Sequence, residues 1–113
     1  MILRSWRGAT RAADADRYVD YLRETGLRAF EVTPGNRGFI VLRRVEDDRA
    51  EFVVQSFWES MDAVKAFAGE RPEVAVFYPE DDRYLIAREA TVEHFEITDL
   101  RLSREATAVR IAT

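Results

Sequence analysis

The segment Glu51–Trp58, reading Glu-Phe-Val-Val-Gln-Ser-Phe-Trp, constrains this chain more than any other. Its composition is that of a strand, yet it is apolar on both faces. Phe52, Val54 and Trp58 point one way, Val53 and Phe57 the other. An antiparallel strand with one wet face alternates apolar with polar residues, so here each face needs a cover. The chain supplies one cover at once. Ser60 suits a helix N-cap, Asp62 sits near the positive helix end, and Met61, Val64, Phe67 and Ala68 share one helical face before Gly69 ends the run. The other face of the strand is left for something else to cover.

The flanking pattern fills in an architecture. Ile2–Ala9 alternates as a strand, with Ile2, Arg4 and Trp6 opposed to Leu3, Ser5 and Arg7. A helix follows from Asp14, with Ala15, Tyr18, Val19 and Leu22 on one face and Gly26 as its C-cap. Leu27–Val32 reads as extended, and Thr33–Gly38 as a turn cluster with no phosphate-binding pattern. Phe39–Val45 pairs with Glu51–Trp58 through a turn at Glu46–Arg49. Arg71–Phe77 suggests one more helical turn, stopped by Pro79, and Thr91–Ile97 is the last strand. The order is βαββαβ, a ferredoxin-like α+β domain with an antiparallel sheet. Its helices cover one sheet face. The simplest cover for the other is a second copy, which predicts a homodimeric α/β barrel. Residues 1–98 make up this domain. Residues 99–113 form a C-terminal tail whose weak strand signal at Ala106–Ile111 suggests an extra strand or a dimer arm.

Several classes of function are excluded by composition. The 113 residues suit one domain. Absence of cysteine removes disulfides, thiolate metal sites and cysteine nucleophiles. A net charge of −4, interspersed and without a basic stripe, argues against nucleic acid. No apolar run is long enough to cross a bilayer and no signal-peptide core is visible, so a cytoplasmic protein without membrane contact is expected. His94 is the single histidine, with only Glu96 sharing its face, which leaves no histidine-based metal site.

The strand ending Phe57-Trp58-Glu59-Ser60, the helix end Phe67-Ala68-Gly69, the Tyr78-Pro79 segment and the strand Val92-Glu93-His94-Phe95-Glu96 carry a resemblance. The chain resembles the antibiotic-biosynthesis-monooxygenase-like family of dimeric α/β barrels over about Met1 to Thr98. That resemblance implies the fold and the dimer. It leaves the reaction open, because such barrels host oxygenases, heme degraders, isomerases, decarboxylases and proteins without known activity. Heme-degrading members use an asparagine on the first strand, a tryptophan in the second helix and a histidine just after it. This chain offers Ser5 or Trp6, Phe67, and Phe77 or Tyr78 there, a departure at all three positions. The other branch is the oxygenases that bind no cofactor. There an electron-rich phenol reduces dioxygen itself, and the protein removes a proton and stabilises an oxyanion in a dry aromatic cavity.

On this reading the chain is a monooxygenase-like oxidoreductase that needs no bound cofactor and acts on a small aromatic metabolite. The alternative is a ligand-binding or stress-response barrel without catalysis. His94, Tyr78 and Arg83 are the candidate catalytic residues: His94 to accept a proton, Tyr78 to donate a hydrogen bond, Arg83 to pair with an anionic oxygen. Trp58, Trp6, Phe67 and Asn36 are the candidate substrate contacts. Each has a structural alternative: Trp58 and Trp6 as packing, His94 as a hydrogen-bonded strand residue, and Glu80–Arg83 as a solvated run of ion pairs.

Overall fold

The computed structural model describes residues 1–106. Five strands and four helices follow one another: β1 (Ile2–Arg11), α1 (Ala15–Glu24), α2 (Gly26–Val32), β2 (Asn36–Glu46), β3 (Arg49–Trp58), α3 (Met61–Ala68), α4 (Asp81–Tyr84), β4 (Leu85–Arg88) and β5 (Glu93–Glu96). The strands form one antiparallel sheet in the order β2-β3-β1-β4. Strand β5 lies on the same side of β1 as β4, pairing with its first half while β4 pairs with its second. This is the ferredoxin-like α+β arrangement, with the last strand divided in two.

Register places the chemistry. Arg4 stands opposite Ser56 on β3 and opposite His94 on β5, and Trp6 stands opposite Val54. Alternation along paired strands then puts Arg4, Trp6, Phe52, Val54, Ser56, Trp58 and His94 on the helix-covered face. The core there joins Tyr18 and Leu22 of α1, Leu27 and Phe30 of α2, Val64 of α3 and Leu85 of β4 to Phe52, Val54 and Trp58. Leu3, Ile40, Leu42, Val53, Phe57 and Phe95 lie on the opposite face. Leu42 is 47% and Phe95 51% exposed, so this apolar face is only partly covered within the chain, whereas Phe57 is already buried.

Two helix boundaries come out as their caps dictate. Ser60 Oγ accepts the Ala63 N–H at 3.2 Å, and Gly69, at φ 92°, ends α3 in a conformation that costs an L side chain energy. Three expectations are corrected. Leu27–Val32 is helical, not extended: Gly26 does not end the helix, because the chain kinks at Thr25 and starts α2 there. Thr25 Oγ1 donates to the Tyr21 carbonyl at 2.7 Å across that kink, and Leu27 and Phe30, three apart, point into the core. Arg71–Phe77 forms no helical turn; Val74 bridges Thr91 instead. Glu80–Arg83, expected as a solvated run, contributes most of helix α4, and strand β4 follows it where the sequence suggested no element. The tail signal at Ala106–Ile111 falls almost wholly outside the described residues.

Candidate functional site

A cavity opens between the sheet and helices α1 and α2, closed on its third side by the segment between α3 and α4. Arg4 and Trp6 from β1, Tyr18 and Leu22 from α1, Leu27 and Phe30 from α2, Val54 and Ser56 from β3, and Phe67 from α3 form its walls. Gly26, Val76, Phe77, Tyr78, Asp81 and Val92 complete it. Its volume is about 60 Å³, far below the roughly 300–1,000 Å³ of pockets that hold drug-sized ligands. In this form it takes a few waters; even a single aromatic ring, which needs roughly 150 Å³, enters only if the walls part.

Aromatic packing shapes the walls. Trp58 is fully buried, with Phe67 stacked on it at 5.5 Å and Phe30 edge-on at 5.9 Å; its Nε1 donates to Ser56 Oγ at 2.8 Å. Trp58 therefore sits behind the cavity wall and sets the pose of the two rings that form it. The Trp6 indole lies back over Gly8, donates to the Glu89 carbonyl at 3.0 Å and meets Phe77 edge-on at 6.3 Å. A Cβ on Gly8 would fall 2.3 Å from Trp6 Cη2, closer than any contact can be. Gly8→Ala should therefore turn Trp6 out of its pose, at about 1–3 kcal/mol of stability. A changed indole emission in a Trp58→Phe background, where only Trp6 reports, would check this; unchanged emission would mean the ring is not held there.

The polar groups stand at two ends. At one, Arg4 is buried and its guanidinium donates to the carbonyls of Pro72 and, at 3.1 Å, Val74. Its Nη1 lies 3.1 Å from His94 Nε2, and its charge lies over the Phe67 ring at 5.8 Å. It makes no ion pair among the described residues, and burial brings its pKa down to about 10. At the other end, Asp81 is buried and accepts the Tyr78 N–H at 2.6 Å. Burial raises the Asp81 pKa, that N–H and Arg88 opposing it. Burial likewise raises Tyr18 and Tyr78, with the Asp81 charge adding to both.

The residues singled out from the sequence divide accordingly. Trp6, Phe67 and Tyr78 line the cavity. His94 is one step behind it, against Arg4. Arg83 is away from it, exposed and paired with Glu80 at 3.3 Å, which leaves it no anionic ligand to meet there. Asn36 is also away, at the start of β2, where its Oδ1 accepts the Gly38 N–H at 2.9 Å. Arg4, Tyr18, Ser56 and Asp81 are the polar wall residues that sequence reasoning missed. Arg4 had a visible sign: it is a charge on the same strand face as Ile2 and Trp6.

Burial and the Arg4 charge both lower the His94 pKa, with Glu73 pulling the other way. A neutral ring with its proton on Nδ1 then accepts from Arg4. The unfolded chain takes up a proton near 6.5 and the folded chain resists it, so this part of the stability is present above pH 6.5 and is lost as pH falls through the depressed value. The melting temperature of the native protein should fall on acidification below that point, and His94→Gln should flatten the trend; an equal slope in both would mean His94 is not its source.

A ferredoxin-like sheet holding an aromatic cavity with a few buried polar groups defines the class: a small α+β domain with a cavity between its sheet and its helices. The antibiotic biosynthesis monooxygenase family model matches residues 6–75, and the chain belongs to that family. Among solved structures, a putative antibiotic biosynthesis monooxygenase from Bacillus cereus is similar at 19% identity and TM-score 0.62, over 90% of this chain and 95% of that one. A variant of MhuD with two manganese protoporphyrin IX molecules bound per active site is similar at 25% identity and TM-score 0.54, over 91% of this chain and 99% of that one. HapK from Hahella chejuensis is similar in fold at 13% identity and TM-score 0.53, over 91% of this chain and 98% of that one. No curated protein sequence matches.

Proposed function

We propose that this protein binds a small aromatic metabolite in the cavity and oxygenates it without a bound cofactor. The observation that carries the reading is a cavity walled by Trp6, Phe30, Phe67 and Phe77 that Arg4 lines at one end and Tyr78 and Asp81 at the other. In the reaction a phenol gives up its proton, the ring reduces dioxygen, one oxygen atom becomes the new quinone carbonyl, and the other leaves as water with two substrate hydrogens. Asp81, whose buried carboxylate is a stronger base than usual, accepts the phenol proton. Tyr78 orients the oxygen, and the apolar walls keep bulk water out. His94, with Nε2 against Arg4, positions that arginine rather than moving the proton itself.

Heme, bound by MhuD in similar structures, does not fit this cavity. A porphyrin needs several hundred Å³, against about 60 Å³ here, and the only histidine of the chain stands outside the wall. The non-catalytic reading has one observation in its favour, the same small volume. The two readings part in one experiment: single-ring phenols incubated with the protein under oxygen. Oxygen uptake with quinone absorbance supports the oxygenase. Binding without uptake favours the binding module, and neither binding nor uptake overturns the cavity as the site.

The homodimer belongs to the same proposal. The partly covered face of Leu3, Ile40, Leu42, Val53 and Phe95 supports a second copy packed sheet to sheet. Leu42→Asp with Val53→Asp should give a monomer or an insoluble chain by light scattering. A soluble dimer of that variant would place the interface elsewhere.

A further inference from the structure

We propose that the ligand of this cavity is an aromatic carboxylic acid, held as its carboxylate on the free edge of Arg4. This rests on the aromatic-ligand reading above and names the group that such a ligand must carry. A guanidinium has five N–H donors. Pro72 O, Val74 O and His94 Nε2 take three of those of Arg4. The Nε–H and one Nη2 hydrogen are left without a partner among the described residues, and they sit on adjacent nitrogens of one planar fork. Arg4 is 4% exposed and lines the cavity, so the only water that fork meets is the little the cavity admits.

The charge balance points the same way. A buried cation without a counter-ion is costly, and the carbonyls that hold Arg4 supply only partial charges. Asp81 does not serve as its counter-ion: the cation acting on Asp81 is Arg88. Two parallel donors match the two oxygens of a carboxylate. A phenolate, with one oxygen, leaves a donor unpaired; a phosphate matches the fork too, but its remaining charged oxygens would lie against the apolar walls of Phe67 and Trp6. The walls around Arg4 take the ring: Phe67 under the guanidinium, Trp6 and Phe77 beyond it. Asp81 at the far end repels an anion, so the acid enters with its carboxylate toward β1 and its opposite edge, where a hydroxyl would meet a proton acceptor, toward α4. The closed volume of about 60 Å³ is below the roughly 150 Å³ that one benzene ring needs, so the walls part to admit the acid and a single ring needs the smallest opening.

The test is calorimetric titration of the unmodified protein with benzoate, 4-hydroxybenzoate, benzamide and phenol at neutral pH. Benzoate and 4-hydroxybenzoate should bind about tenfold or more tightly than benzamide, the value of one charge-assisted contact. Arg4→Gln should remove the difference and Arg4→Lys should keep part of it, because the charge stays and the fork is lost. The comparison of acid with amide in the unmodified protein stands even if the variants do not fold. Benzamide or phenol binding as tightly as the acids would overturn the carboxylate and leave the aromatic cavity standing. No binding by any of the four would overturn both.

Discussion

Trp58→Ala should lower folding stability by about 3–5 kcal/mol. Trp58 has no exposed surface, and its indole is the platform on which Phe67 stacks and against which Phe30 stands edge-on. Truncation removes a large buried apolar area, leaves a hole between β3 and α3, and strips Ser56 Oγ of its donor inside the core. A domain of this size has about 5–15 kcal/mol in total, so the variant stands near the unfolding threshold. Urea unfolding followed by circular dichroism measures it. Trp58→Phe keeps most of the ring contact and should lose clearly less. A loss under about 1 kcal/mol for Trp58→Ala would mean that Phe30 and Phe67 close the hole. The cavity should suffer with the core, since those two rings are its walls.

The same residue shows how far the sequence could be read. Glu51–Trp58 followed by a capped helix is local information: the alternation, the Ser60 cap and the Gly69 stop are all spelled within a few residues, and strand, helix and sheet order follow from them. Helix α2 was missed because Gly26 looks like a stop and Val32-Thr33 favours a strand, while the packing of Leu27 and Phe30 against Trp58 and Phe67 is tertiary. Strand β4 has four residues and pairs with only part of β1, too short to show a period. The site was less legible than the fold. Trp6, Phe67 and Tyr78 stand at the cavity, but aromatic type alone did not separate them from Trp58 behind it. Asp81 sat in an acidic run that reads as solvated; Glu80 and Asp82 do pair outward, with Arg83 and Arg88, and only the fold turns Asp81 inward.

That inward turn makes Asp81→Asn the sharpest test of the oxygenase. If Asp81 takes the phenol proton, its amide should consume oxygen about 10²–10⁴-fold more slowly. The structure should not suffer, because the amide oxygen can still accept the Tyr78 N–H that the carboxylate accepts at 2.6 Å. Stability at neutral pH argues further for a clean result. The folded pKa of Asp81 is raised above its ordinary 3.8, so ionisation disfavours the folded chain; the stability from this group is full below 3.8 and is lost as pH rises through the raised value. An uncharged amide removes that penalty, and Asp81→Asn should melt no lower than the native protein at pH 7. On that reading the native protein should consume oxygen faster as pH rises through the raised Asp81 value, and the variant should lose that dependence. Oxygen consumption unchanged in a variant of native melting temperature would remove Asp81 as the base. The proton would then leave by Tyr78 or by water, and the buried carboxylate would be an anchor for the Tyr78 turn alone.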